Sequence, residues 1–310
     1  MRVGILLCLL LISLGLLTPA SSQGTAEGEN AQDSFQLHAL STAPGPPSCS
    51  PYLFLSIGAL DAPLRVDVQT NDAPENLCAN MDDWDSDVPD HLFQNIPDPT
   101  VLDPSYQATC DLCDQIDLAS DSGNYEAIEP MIHSYLSTVA QLPALDWALG
   151  ISGTTVTDLY QTWFGSAQGF RHVICGEKDQ ADMTNTGGYH FWYRFYQEER
   201  REGDGHVNWR CTLEGEDDPG VATIRFDWDP YGTDDYRKKP IGGFTVGESV
   251  GALLALGHLA RVWGCDVSDK GNDLVADVNG HEYEWVVVTK DNSLLTLYPK
   301  AIDQTLPRPK

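Results

Sequence analysis

The hydrophobic pattern of this chain changes period near its middle, and that change limits the folds open to it. Before Phe170 the apolar residues recur at helical spacing: Ile128, Ile132, Tyr135, Leu136 and Val139 fall on one face of an α-helix. Gly150-Ile-Ser-Gly153 interrupts the pattern, and Thr155 to Trp163 resumes it as a short amphipathic segment. The spacing predicts helices across Tyr125 to Phe164. After Phe170 the texture is that of strands. Val221 to Trp228 (VATIRFDW) alternates, and His190 to Tyr196 (HFWYRFY) is aromatic and alternates in its second half. Leu274 to Val278 and His281 to Val288 flank Asn279-Gly280, a strong signal for a two-residue hairpin turn. Leu294 to Tyr298 reads as a last strand, ended by Pro299. Within this half, Ser249 to Trp263 reads as one buried helix. Antiparallel strands with segregated helices make the expected class α+β.

The start of the chain stands apart from that core. Met1-Arg2 is followed by an uncharged apolar run of 14 residues, Gly4 to Leu17, and then by Thr18-Pro19-Ala20-Ser21-Ser22. This is the pattern of a secretory signal peptide, with cleavage expected after Ala20 or Ser22. The run is shorter than the roughly 20 residues that span a bilayer. A secreted protein is therefore expected.

Cysteine usage fits export. With Cys8 removed, Cys49, Cys78, Cys110, Cys113, Cys175, Cys211 and Cys265 remain. This odd number leaves at least one thiol without an internal partner. Cys110 and Cys113 form a CxxC, open to a redox site or half a zinc site. No second CxxC accompanies it, so structural disulfide use of the two is favoured. Connectivity is not readable from spacing.

The formal net charge is −28. Ser21 to Gly165 contains a single basic residue, Arg65. An acidic body disfavours a polyanion ligand, but a small basic site on such a body can still bind one weakly and with salt sensitivity. Asp82, Asp83, Asp85, Asp87 and Asp90 crowd together without the Gly and terminal Glu of an EF-hand. A solvated acidic loop is the favoured reading over a calcium loop.

Chemistry is concentrated in four short stretches: GFRHVICGE (Gly169–Glu177), GGYHFW (Gly187–Trp192), KPIGGFTVG (Lys239–Gly247) and TLYP (Thr296–Pro299). Each is weak alone, because a lone histidine is more often structural than catalytic. However, His172 and His190 both stand close to glycines, where backbone approaches closely. Two imidazoles can hold opposite protonation states near neutral pH, as concerted acid–base catalysis requires. A lysine supplies fixed positive charge for a developing oxyanion.

Taken in order, these stretches resemble the EndoU family, which includes the XendoU endoribonucleases of animals and, more distantly, the uridylate-specific endoribonuclease of coronaviruses. Leu159-Tyr-Gln-Thr-Trp163-Phe164 resembles the segment that precedes the first motif in animal members. The resemblance covers roughly Tyr106 to Pro299. It implies a two-lobed α+β fold of antiparallel sheets and flanking helices, with the site in a groove. With the signal peptide and a composition-biased leader before it, the expected organisation is 1–22 signal peptide, 23–79 disordered or variable leader, 80–165 acidic and partly helical N-terminal lobe, and 166–310 catalytic lobe, the lobes forming one domain.

The same resemblance makes His172, His190 and Lys239 the catalytic residues, with Lys238 as the competing lysine and a candidate substrate contact. Thr296 and Tyr298 become the pair that reads and stacks uracil. Arg171 becomes a substrate contact and Glu177 a tentative metal ligand. The chain departs from the family at Arg171, where many animal members carry Glu, and at Phe191, where they carry Asn. The first departure implies weaker manganese dependence and added positive charge beside the phosphate. Manganese or another divalent cation is expected to assist without binding tightly. The expected substrate is single-stranded RNA containing uridine, cut through its own 2′-hydroxyl to a 2′,3′-cyclic phosphate. The rival is a non-catalytic secreted RNA-binding or interaction protein on the same fold. Arg171, Lys178, Arg194, Arg237, Lys238 and Lys239 are expected to gather into one positive groove.

Overall fold

The computed structural model describes residues 53–56, 67–68, 92–95, 103–178, 186–200, 207–214, 220–229, 236–265, 274–278 and 281–300. All of them belong to one unit, Leu37–Lys310. The signal peptide, the acidic run at Asp82–Asp90 and the Asn279-Gly280 turn lie outside the described residues. Of the stretch 23–79, two strands are described, β1 (Leu53–Ser56) and β2 (Asp67–Val68).

Helices come first. α1 (Pro104–Ser122) starts at Asp103, whose carboxylate accepts from the Ser105 amide at 2.8 Å. It stops at Gly123 in the left-handed conformation, the usual helix stop. Its buried face is Tyr106, Thr109, Cys110, Cys113, Ile116 and Ala119, a helical period written mostly in small residues. α2 (Glu129–Val139) buries Ile132, Tyr135, Leu136 and Val139 as the spacing predicts. α3 (Pro143–Ser152) ends at the predicted break, and α4 (Val156–Phe164) begins at a Thr155–Asp158 capping box.

The second half holds two main sheets. β6 (Val207–Glu214), β7 (Val221–Trp228) and β8 (Arg237–Thr245) form an antiparallel sheet in that order. The other sheet runs β1-β9-β10-β11, with β9 (Leu274–Val278), β10 (His281–Lys290) and β11 (Ser293–Lys300) antiparallel and β1 parallel to β9. His281 pairs with Val278, the register that a two-residue turn at Asn279-Gly280 demands. The result is α+β, as expected.

Two local expectations fail for physical reasons. The aromatic stretch after His190 is not a strand: Trp192–Glu199 is a helix, α5. It is enclosed on several sides, so its rings are buried whatever the period. Phe195 meets Phe226 of β7 edge-on at 5.1 Å, Tyr193 meets Tyr106 of α1 at 4.9 Å, and Trp192 meets Phe93 of β3 (Phe93–Asn95) at 5.9 Å. Helical spacing also lets Arg194 reach Glu198 at 3.0 Å. Pro299 does not end the last strand either. It pairs with Trp285 inside β11, which tolerates proline because it is an edge strand.

α6 (Val250–Val262) is buried nearly all round and starts at Ser249, whose hydroxyl accepts from the Ala252 amide at 2.9 Å. Its fully buried His258 ties it to the other helices: Nε2 meets the Thr154 hydroxyl at 2.7 Å and Nδ1 the Thr162 hydroxyl at 2.9 Å. Burial, with Arg261 in support, lowers this imidazole from its ordinary 6.5 to about 4. Below pH 6.5 the unfolded chain accepts a proton that the folded ring refuses until about pH 4. Stability is therefore full above 6.5 and declines between 6.5 and 4, by about 3 kcal/mol in all. Urea unfolding as a function of pH should show His258→Gln flattening this part of the profile. An unchanged acid slope in the variant would exclude the ring as its source.

Candidate active site

The centre of the site is a turn of π-helix, Arg171–Cys175, a geometry common at functional positions. Two ties hold it. Cys175 forms a disulfide with Cys113 of α1, closing a separation of 62 residues. The carbonyls of His172 and Val173 accept from the amides of Tyr189 at 2.8 Å and His190 at 2.6 Å. The second tie explains the glycine before this histidine. Gly188 has φ +62°, and a methyl group there would stand 1.7 Å from the His172 carbonyl oxygen. Only glycine lets the two segments touch, and touching brings the imidazoles of His172 and His190 to 6.3 Å between ring centres.

Each imidazole is oriented through Nδ1. That of His190 lies 2.8 Å from the Gly243 carbonyl. A carbonyl only accepts, so Nδ1 carries the proton and Nε2 keeps its lone pair. That of His172 lies 2.7 Å from Oε1 of Glu177. Glu177 stands on β4 (Glu177–Lys178), paired with β5 (Thr186–Gly187) just before Gly188. Burial, then the charge of Lys239, holds His190 well below the ordinary histidine range. His190 is thus neutral at physiological pH.

Lys239 comes from β8, where the KPIGG stretch has a definite shape. Phe226 of β7 pairs with Lys239 and Ile224 with Gly242, so β8 carries one extra residue at Pro240-Ile241. This bulge accommodates a proline in the strand and returns Gly242 to the face of Lys239. A side chain at Gly242 would crowd Phe226 at 2.9 Å and the Lys239 Cγ at 3.2 Å. The ammonium of Lys239 donates to the Thr186 carbonyl at 3.3 Å. Burial lowers it from 10.5 to about 8, against the opposing pull of Glu177. It remains mostly cationic at neutral pH.

Tyr298 lies on β11 and stacks on His190, with ring centres 5.0 Å apart. Thr296 is two residues earlier on the same face of that strand. The structure therefore gathers His172, His190, Lys239, Glu177 and Tyr298, with Thr296 beside them. It does not gather the others. Lys238 precedes Lys239 on a strand and so takes the opposite face. Arg171 lines a pocket among the helices with Tyr160 and Phe164. Arg194 is buried in ion pairs with Asp114 at 2.7 Å and Glu198. The single positive groove expected from sequence is thus not built from these residues.

The CxxC is also divided. Cys113 bonds to Cys175, while Cys110 is a buried free thiol. Cys265 is disulfide-bonded as well. The Gly243 carbonyl, as the partner of His190, carries no signature in sequence beyond the glycine itself.

An α+β frame brings two imidazoles, their planes tilted by 49°, together with a buried lysine, an arrangement suited to acid–base chemistry. No family model matches the chain. A uridylate-specific endoribonuclease of Bos taurus is 24% identical over 232 residues, 66% of this chain and 52% of that protein. A uridylate-specific endoribonuclease of Homo sapiens is 26% identical over 199 residues, 56% of this chain and 46% of that protein. The chain thus spans about half the length of the curated relatives it matches. The solved structure of XendoU, described as a splicing-independent snoRNA-processing endoribonuclease, superposes with a TM-score of 0.56 at 18% identity, covering 78% of this chain and 92% of that one. The chain is thus similar in sequence to these endoribonucleases and shares the fold of XendoU.

The contact at Gly188 carries a direct test. Gly188→Ala should lower stability by about 2–3 kcal/mol, through strain at positive φ and the clash with the His172 carbonyl. Gly187→Ala, whose methyl would meet the flexible Glu177 Cγ at 3.0 Å, should cost far less. Equal melting temperatures for the two variants would contradict the close approach.

Proposed function

We propose that this protein is a secreted endoribonuclease that cuts single-stranded RNA at uridines. The observation that carries the reading is the asymmetry of the two imidazoles. His190 is buried, neutral and presents a free Nε2. His172, held by Glu177, is the more exposed ring. His190 takes the proton of the ribose 2′-hydroxyl as base, and His172 gives a proton to the departing 5′-oxygen as acid. Lys239 stabilises the extra negative charge on the nonbridging phosphate oxygens. The products are a 2′,3′-cyclic phosphate and a 5′-hydroxyl. DNA lacks the nucleophile and is not cut.

Tyr298 offers a face on which uracil stacks, and the Thr296 hydroxyl bonds its edge. The names of the relatives support uridine as the target. The leading segment of the sequence supports export.

A divalent cation assists by screening charge. Among the described residues no trio of His, Cys, Asp or Glu side chains is arranged to hold a metal. Glu177, the tentative ligand, is engaged by His172. This donor set does not fit a resident ion, and no step of the mechanism is routed through one.

His172→Ala, His190→Ala and Lys239→Ala should each slow cleavage of a uridine-containing oligonucleotide by at least about 100-fold. Lys238→Ala should be much milder. Normal cleavage by any folded member of the first three would remove that residue from the mechanism, and cleavage by none of the proteins would favour the binding-only alternative. Tyr298→Ala should weaken binding by about 1–3 kcal/mol and erase the preference for uridine. Screening further predicts that magnesium, calcium and manganese stimulate at similar concentrations. Activation by micromolar manganese where millimolar magnesium fails would demand a specific site instead.

A further inference from the structure

We propose that the pocket behind the π-helical turn, lined by α1, α2, α4 and Arg171, binds a small planar aromatic carboxylate. The pocket is separate from the histidine site and has a volume of about 220 Å³. An engineered cavity of about 150 Å³ takes benzene, so this one suits one or two fused rings with a small substituent. Its walls match such a ligand. Ile132 is an aliphatic surface, and Tyr160 and Phe164 present rings already stacked on each other at 5.9 Å and 24°. Aromatic ligands extend such stacks in offset or edge-on geometry.

The polar groups specify the ligand's charge. Arg171 and Tyr125 both line this pocket, so a wall that is otherwise largely apolar carries a guanidinium and a phenol. The guanidinium fork pairs with a carboxylate through parallel hydrogen bonds, and a tyrosine hydroxyl can donate to the same group. Asp117 of α1 interacts with Arg171, but burial raises its carboxyl to about 7, so it neutralises the guanidinium only in part near neutral pH.

Glu126 and Glu129 stand exposed on the pocket's rim, the latter 3.8 Å from His133. They disfavour a phosphate dianion or an RNA backbone far more than a monoanion whose charge sits on Arg171. A monocarboxylate offers one charge to Arg171 and carries the least repulsion past the acidic rim.

The test uses the folded protein and three probes of one shape: 1-naphthoate, the neutral 1-naphthalenemethanol and the cationic 1-naphthylmethylamine. Binding is read by titration calorimetry and by the fluorescence of Trp163, which lines the pocket. Saturable one-to-one binding is expected for naphthoate, at least tenfold tighter than for the alcohol or the amine. Arg171→Gln should remove the preference for naphthoate, and Tyr160→Ala should weaken all three probes. Melting temperatures establish that each variant is folded, and the two substitutions test the site independently. Absence of saturable naphthoate binding, equal or tighter binding of the amine, or affinity unchanged in both folded variants would each overturn the proposal. The readout is binding, so it is independent of RNA cleavage.

Discussion

Two backbone hydrogen bonds, from the amides of Tyr189 and His190 to the carbonyls of His172 and Val173, set the distance on which the candidate chemistry depends. Neither imidazole touches the other. Their relation is inherited from the main chain, which changes less readily than a side-chain rotamer. The rest of the fold can be read as support for this contact. The disulfide anchors the π-helical turn to α1, β4 and β5 bring the second segment alongside, and the bulge in β8 offers a carbonyl to one ring and an ammonium to the site. Preorganisation of this kind lets a site of few groups act without rearranging during reaction.

Legibility in the sequence followed how local each signal was. The face of α2, the extent of α6 and the β9–β10 register were readable because periodicity and turn chemistry act over a few residues. The helix at Trp192–Glu199 was not, because its rings are buried by elements from distant parts of the chain. Side-chain direction was the harder problem at Arg171 and His172. Consecutive residues on a helical turn point in different directions, so neighbours in a motif need not share a site. Lys238 and Lys239 repeat the lesson on a strand, where neighbours face opposite ways. The pairing of Cys113 with Cys175 depended on bringing α1 to the π-helical turn, which no spacing rule conveys.

Electrostatics places the chain in an unusual position for a protein proposed to act on a polyanion. Its formal charge is −28, and of Arg171, Arg194, Lys238 and Lys239 only Lys239 joins the histidines. Phosphate contacts are correspondingly few, so the counterion-release contribution to binding is small. For the proposed activity, discrimination then rests on uncharged contacts, above all the aromatic face of Tyr298, which stacks on His190.

The divided CxxC has a consequence for the durability of the disulfide. Cys110 stands one helical turn before Cys113, near enough in the chain to be a rival for Cys175. Exchange requires a thiolate, and burial pushes the Cys110 thiol up to about 12, where almost none forms at neutral pH. The rival is present but chemically silent. The bond that steadies His172 is therefore guarded kinetically while the helix is folded, and the guard lapses when local unfolding gives Cys110 water.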